Sequence, residues 1–213
     1  MGIHVWGPWI YFSPGIPGFC TSFLIKVSKN GKKYILMFNY VHKHCFDVIC
    51  REIDKIKPKI LTPATVSLIK RFRENVVCEE KKYRKKHRVE IRPRLIIKGD
   101  SFVEIVQYLR IMGFEKETIK YLLNRIDYEL LNYLEKAVKE ELSRLETYAL
   151  SRVLQAVLGD KVDEIEDIKV KQSEYIEDFI QLQKDVKNAL NQVDTICEMF
   201  DKLTSISIKI SET

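Results

Sequence analysis

Within Leu95-Ile96-Ile97-Lys98-Gly99-Asp100-Ser101-Phe102-Val103-Glu104 the chain changes character. The first residues are aliphatic. Just upstream, Val89 and Ile91 alternate against charges, so the pattern predicts an extended segment from His87 to Lys98. Gly99-Asp100 ends it. Ser101 and Glu104 then have capping-box spacing, in which serine and glutamate satisfy reciprocal backbone donors and open a helix. Upstream lie most of the glycines and all but one of the cysteines, while downstream the chain is nearly glycine-free and helical in pattern. The expected fold class is α+β. A small basic α+β domain with a β-hairpin fills residues 1–99. An acidic all-α region over 100–213 ends in a long helical hairpin or coiled coil, with antiparallel helices at about 128–158 and 162–204. The 213 residues suffice for one large or two small domains with a proper core.

Working back from Gly99, the densest charge is Lys81-Lys82-Tyr83-Arg84-Lys85-Lys86-His87-Arg88, continued by Arg92 and Arg94. The pattern reads as a loop that passes into the start of a strand. Net charge is +6, but residues 1–100 hold 21 Lys/Arg against 8 Asp/Glu and residues 101–213 hold 15 against 22. A basic half of this kind points to a polyanion partner, DNA or RNA, bound by Tyr83 and the cations around it. Lys81, Lys82, Arg84, Lys85, Lys86, Arg88, Arg92 and Arg94 would neutralise phosphates, each contact releasing counterions. Two other readings fit the same charge. The two halves dock on each other, or the basic half meets an acidic protein. Trp6, Trp9, Tyr11, Phe12 and Phe46 are candidate stacking platforms for unpaired bases, or else core and loop packing.

The remaining upstream residues outline a small sheet. Ser22 to Ser28 and Lys33 to Tyr40 flank Asn30-Gly31, the favoured pair for a type I′ turn because both tolerate positive φ. Ile35 to Phe38 is an unbroken apolar run, which predicts a strand covered on both faces. Residues 3–12 are β-favouring, and Pro8 either keeps that strand at an edge or splits it in two. Asp47 to Ile56 reads as a helix stopped by Pro58. Thr62-Pro63 is an N-cap followed by proline at the first helical position, opening a helix to about Phe72.

Downstream, a helix from Ser101 ends at Gly113. A short helix over Lys116 to Asn124 follows, and Asp127 is expected to cap a third that runs to Leu158. The last helix carries Ile168, Gln172, Tyr175, Phe179, Leu182, Val186, Ala189, Val193, Ile196, Phe200 and Leu203 at alternating spacings of four and three, a sustained heptad. That length exceeds what one ordinary domain covers, so assembly with itself or another protein is expected through Phe179, Leu182, Val186, Val193, Ile196, Phe200 and Leu203. Pairing within the chain, as a hairpin through Gly159, fits the bulky aromatic positions better than a parallel dimer. Ser205 to Ile210 alternates as a terminal strand would.

Candidate chemistry is sparse. His42, His44, Cys45 and Cys50 lie close in sequence, and two histidines at i and i+2 on a strand share a face and can share a metal, zinc being the expected ion. His42-Lys43-His44 resembles the paired-histidine motif of HUH endonucleases. That resemblance implies a metal-dependent single-strand nuclease with Tyr128 or Tyr133 as nucleophile. The family has a hydrophobic residue where Lys43 stands. Ile105 to Leu123, with Leu109 to Ile119 within it, resembles the Gly-Phe helix corner of ubiquitin-associated domains and of MerR-type regulators. The hairpin of residues 19–36 is similar to the opening hairpin of the metallo-β-lactamase fold, without that family's histidines. No P-loop, dinucleotide fingerprint, zincin helix or nucleophile elbow is present, and carboxylates are few in the basic half, so the sequence leans away from an enzyme.

No stretch approaches the ~20 apolar residues of a membrane span. The N-terminus lacks a signal-peptide pattern, and five cysteines without regular spacing suit a reducing, cytoplasmic setting. Abundant Lys, Glu and Ile with few Gln and Asn match the composition of thermophile proteins.

Overall fold

A computed structural model describes residues 2–28, 33–85, 88–158 and 175–203. The α+β architecture is as expected, with a sheet of six strands where the sequence outlined at least three. In chain order these are β1 (Gly2–Trp6), β2 (Trp9–Ser13), β3 (Cys20–Val27), β4 (Tyr34–Val41), β5 (Val76–Lys85) and β6 (Arg88–Gly99). They pair antiparallel in the order β1-β2-β3-β4-β6-β5. Gly7 and Pro8 turn β1 into β2, so the proline splits the N-terminal segment into two strands. The strands flanking Asn30-Gly31 pair as read, Phe23 opposite Phe38 and Ile25 opposite Leu36; the turn residues themselves lie outside the described residues.

Five α-helices accompany the sheet among the described residues: α1 (Lys43–Glu52), α2 (Pro63–Asn75), α3 (Phe102–Ile111), α4 (Lys116–Leu158) and α5 (Ile176–Leu203). The caps explain several of their ends. Thr62 accepts from Thr65 N–H at the start of α2. Ser101 Oγ accepts from Glu104 N–H at 3.2 Å, half of the expected box. The Glu104 carboxylate does not return to Ser101. It accepts from Asp100 N–H (2.8 Å) and Tyr108 O–H (2.6 Å) and pairs with Arg71 (3.1 Å), which satisfies a nearly buried charge. Gly113, at φ 91°, closes α3 as Phe114 N–H donates to Leu109 O.

Helix α4 runs unbroken through Asn124 to Asp127, where the sequence suggested a break. Asp127 does not cap a helix. Its carboxylate accepts from Gln183 Nε2 of α5 at 2.8 Å, so its polar group is used between helices. Helix α5 lies antiparallel to α4 along Tyr133–Phe179, Asp127–Gln183 and Lys120–Asp194. The part of the last helix expected before Ile176, with Ile168 and Gln172, and the terminal strand at 205–210 lie outside the described residues.

The core is continuous from sheet to helices. Phe38 of β4 packs near Phe19 and Phe114, and Tyr34 meets Phe102 edge-on at 5.3 Å. The Tyr34 hydroxyl donates to Asp185 of α5. Arg125 of α4 donates to Gly15 O at 2.9 Å, in the loop between β2 and β3. A Cβ on Gly15 would stand 2.2 Å from Cys20 O, so only glycine fits there. This core takes up the heptad. Phe179, Leu182, Val186, Val193, Ile196 and Phe200 are all buried within the chain, and the expectation that they face a partner is corrected. Leu203 is half-buried at the end of α5, where its carbonyl accepts from Lys59 N–H.

Candidate nucleic-acid interface

Side chains alternate across a strand, and here the alternation separates two environments. On one face Ile10, Phe12, Phe23, Ile25, Leu36, Phe38, Leu95 and Ile97 are buried beneath helices. The residues between them along each strand, Tyr11, Leu24, Met37 and Ile96, are in register with one another, point the other way and are only half-buried. The apolar run of β4 is therefore covered on one face and not on both. Helices α1 and α2 also lie on the covered side. Cys50 of α1 forms a disulfide with Cys78 of β5, and Phe72 of α2 packs 5.7 Å from Tyr108.

The basic run is strand where a loop was expected. Lys81, Lys82, Arg84 and Lys85 belong to β5, paired residue by residue with Arg92, Ile91, Val89 and Arg88 of β6. Lys86 and His87 lie outside the described residues, and so does the Lys85 side chain. Because β4 pairs with β6 only over Arg94–Gly99, the ends of β5 and β6 project as a two-stranded ribbon. Pairing fixes the facing: Lys81, Tyr83, Arg92 and Arg94 point to the side that no helix among the described residues covers, the helix-free side, and Lys82 and Arg84 to the other.

Tyr83 organises the near end of the ribbon. The Arg92 guanidinium lies 4.0 Å from its ring centroid and 4.4 Å from that of Tyr40, an arginine between two aromatic rings. Arg94 donates to the Tyr83 hydroxyl, and Lys81 sits 5.6 Å over the same ring. Arg92 is held from the side by Glu90 at 3.0 Å. Alternation would send Tyr40 to the covered face with Leu36 and Phe38. Its backbone instead takes a positive φ of 50°, unusual for a bulky residue, and its ring reaches Arg92. Among the described residues, Lys81, Lys82, Arg84, Arg88 and Arg94 make no ion pair with a carboxylate, those of the described helices included.

The opposite edge of the face is aromatic. His4, Trp6 and Tyr11 stand with ring centroids 5.7–6.3 Å apart, and Lys26 lies 5.5 Å over Trp9. Of the five aromatics considered as platforms, Phe12 and Phe46 are core, whereas Trp6 is 63% exposed and Trp9 and Tyr11 are half-exposed. Sequence reasoning passed over Lys26, Tyr40 and Lys98. Alternation within β3, with Leu24 and Lys26 against Phe23, Ile25 and Val27, held the signal for the first.

The histidine–cysteine cluster does not assemble. His42 precedes α1 and His44 lies in its first turn, so the two do not share a strand face. Cys50 is taken by the disulfide, and the buried Cys45 thiol points to Gly18 O. Among the described residues no group of three or more His, Cys, Asp or Glu is placed to hold a metal, which removes the proposed zinc set. The free thiols are equally unsuited to chemistry. Burial pushes Cys20 up to about 12 and also raises Cys45 and Cys197, keeping all three protonated. Tyr133 is half-buried against Phe179, and Tyr128 is exposed on α4. No helix among the described residues is long and apolar enough to cross a membrane. Compared with protein families, with characterised proteins and with solved structures, the chain matches none.

Proposed function

We propose that the chain is a non-enzymatic nucleic-acid-binding protein whose β5–β6 ribbon grips the phosphate backbone. The observation that carries this is a projecting two-stranded element rich in lysine and arginine, most of whose exposed cations have no carboxylate partner among the described residues. A ribbon of this width fits a duplex groove, and cations on both of its faces reach phosphates on either side. Lys81, Lys82, Arg84, Arg88, Arg92 and Arg94 supply the contacts, with Lys85 and Lys86 continuing the run. Rigid pairing to β6 and the Tyr83 cluster support the near end, which lowers the entropy lost on binding.

Assembly would use surface left over by the intrachain packing. Leu142, Leu145, Leu150 and Val153 on the far half of α4 are each more than half exposed and supply an apolar stripe for a second copy or another protein. Light scattering of the wild type and of Leu142→Glu, Leu145→Glu reads this directly. A mass above the monomer that falls in the variant is expected, and an unchanged mass refutes the stripe.

The main test is an anisotropy titration with DNA and RNA at two salt concentrations. Affinity should fall steeply with salt, with a slope of about −0.9 per phosphate contact on duplex DNA. Replacing Lys81, Lys82 and Arg84 by Ala should lower that slope by roughly three contacts and weaken all sequences alike. No binding at low salt refutes the proposal, and binding untouched by the triple replacement moves the site off the ribbon.

A further inference from the structure

We propose that the helix-free face of the sheet is a track for single-stranded nucleic acid. Unpaired bases lie on the rings of β1 and β2, and phosphates sit on the lysines beside them. This rests on the nucleic-acid reading above and narrows it to the unpaired polymer. The register sets one row across five strands: Trp6, Trp9, Lys26, Ile35 and Lys98. At about 4.8 Å between strands the row spans roughly 19 Å. A comparable width of sheet takes two or three stacked bases.

The row divides by chemistry in the way a single strand does. Its first part is aromatic, with Trp6 63% exposed and backed by His4 and Tyr11. Its second part is cationic. Lys26 and Lys98 both line a cavity of about 380 Å³ at the end of the sheet, joined there by Lys33, with Asp100 the one acidic residue among the described residues of its wall. Three lysines around one opening favour a polyanion. Lys26 belongs to both parts, since its ammonium lies 5.5 Å over Trp9. Between them and the ribbon, Leu24, Met37 and Ile96 form a half-exposed aliphatic floor that suits sugars and base faces.

A duplex makes poor use of this surface. Its bases are already stacked on each other and offer no open ring to Trp6, so only the ribbon would engage it. An unpaired strand uses both, and stacking is sequence-tolerant because every base has a π-face. The surface therefore predicts a preference for single strands over duplexes, with little choice among bases.

Both tryptophans of the chain lie on this face, so their fluorescence reports on it directly. The test titrates the full chain with an oligothymidylate of about 12 nucleotides and with a duplex of equal length. Tryptophan quenching and roughly tenfold tighter binding of the single strand are expected. Trp6→Ala should weaken single-strand binding about fivefold or more, while Trp6→Phe retains most of it. Lys26→Ala with Lys98→Ala should lower the salt slope by roughly 0.7 for each phosphate left without its lysine. Equal affinity for the duplex, with Trp6→Ala binding as wild type, overturns the track and leaves the ribbon reading standing. Absence of binding to either probe at low salt brings down both. Loss of self-association in Trp6→Ala, with oligothymidylate binding unchanged, makes the face a protein interface and overturns the proposal.

Discussion

Phe38 and Met37 are neighbours on β4, yet the first is fully buried under the helices while the second faces out across a surface that no helix among the described residues covers. The same contrast runs through every central strand. Phe23 and Ile25 lie beneath helices while Leu24 and Lys26 do not, and Leu95 and Ile97 alternate with Arg94 and Ile96. The covered face is aliphatic and aromatic, as a core requires. The other mixes half-exposed apolar residues with aromatics and cations, a composition that stability alone does not explain. Large-to-small replacement tests whether the two faces differ in energy as they do in composition. Phe38→Ala should cost roughly 3–5 kcal/mol in chemical denaturation, the range for a fully buried aromatic. Met37→Ala, at a half-buried position, should cost less, about 1 kcal/mol. Equal losses at the two positions would mean that the second face is covered as well.

Two arginines sharpen the comparison. Arg125, on the covered side, sits 5.5 Å from the Phe23 ring and pairs with Glu129 at 3.1 Å, both side chains almost fully buried. Arg92, on the helix-free side, sits between Tyr40 and Tyr83 and pairs with Glu90 at 3.0 Å, within reach of water. Both are cation–aromatic arrangements with an acidic partner. Removing the partner should separate them. Glu129→Ala leaves a buried cation without its counter-charge and should destabilise by about 3 kcal/mol. Glu90→Ala should cost under about 1 kcal/mol, since solvent screens the charge left behind. It should also tighten nucleic-acid binding, because the guanidinium is released. Similar stability losses for the two would show that the Tyr40–Arg92–Tyr83 cluster is structural.

Much of this was readable in the sequence, and the remainder was unreadable for identifiable reasons. Asn30-Gly31, Thr62-Pro63, Ser101 and Gly113 mark turns and caps by local chemistry, and the strands and helices around them are where the residues place them. In β4 the run Ile35 to Phe38 has no polar alternation, so composition cannot reveal that one face is open. Asp127 looks like a cap because a cap and an interhelical acceptor are the same residue type; only Gln183, 56 positions away, distinguishes them. The heptad of α5 was visible, but periodicity defines an apolar stripe without naming what covers it. Cys50 reads as a metal-ligand candidate until Cys78 is seen beside it. Of the candidate interface, the basic residues were legible as charge. Their facing was not, because it follows from the register of β6 with β4, a pairing between segments far apart in the sequence.

A further small effect concerns how the covering helix is tied down. Tyr34 is fully buried at the start of β4, and its hydroxyl donates to Asp185 of α5, a direct polar tie between sheet and helix. Burial first, then the hydrogen bond and charge of Asp185, raise the phenol well above the ordinary tyrosine range. The folded state therefore holds this proton more tightly than the unfolded chain. Its stabilising contribution is complete below the unfolded value, near pH 10, and is lost as pH climbs from there towards the folded value. Tyr34→Phe should cost about 1 kcal/mol at neutral pH, because Asp185 keeps a bond from Gln181 at 3.0 Å. Above about pH 10 the gap should close, since only the wild type loses this term, at up to ~1.4 kcal/mol per pH unit. Urea denaturation of both proteins from neutral to alkaline pH measures it. Curves that stay parallel through that window would show that the tie to α5 is absent in solution. The contrast between a clamped face and an open one would then rest on apolar packing alone.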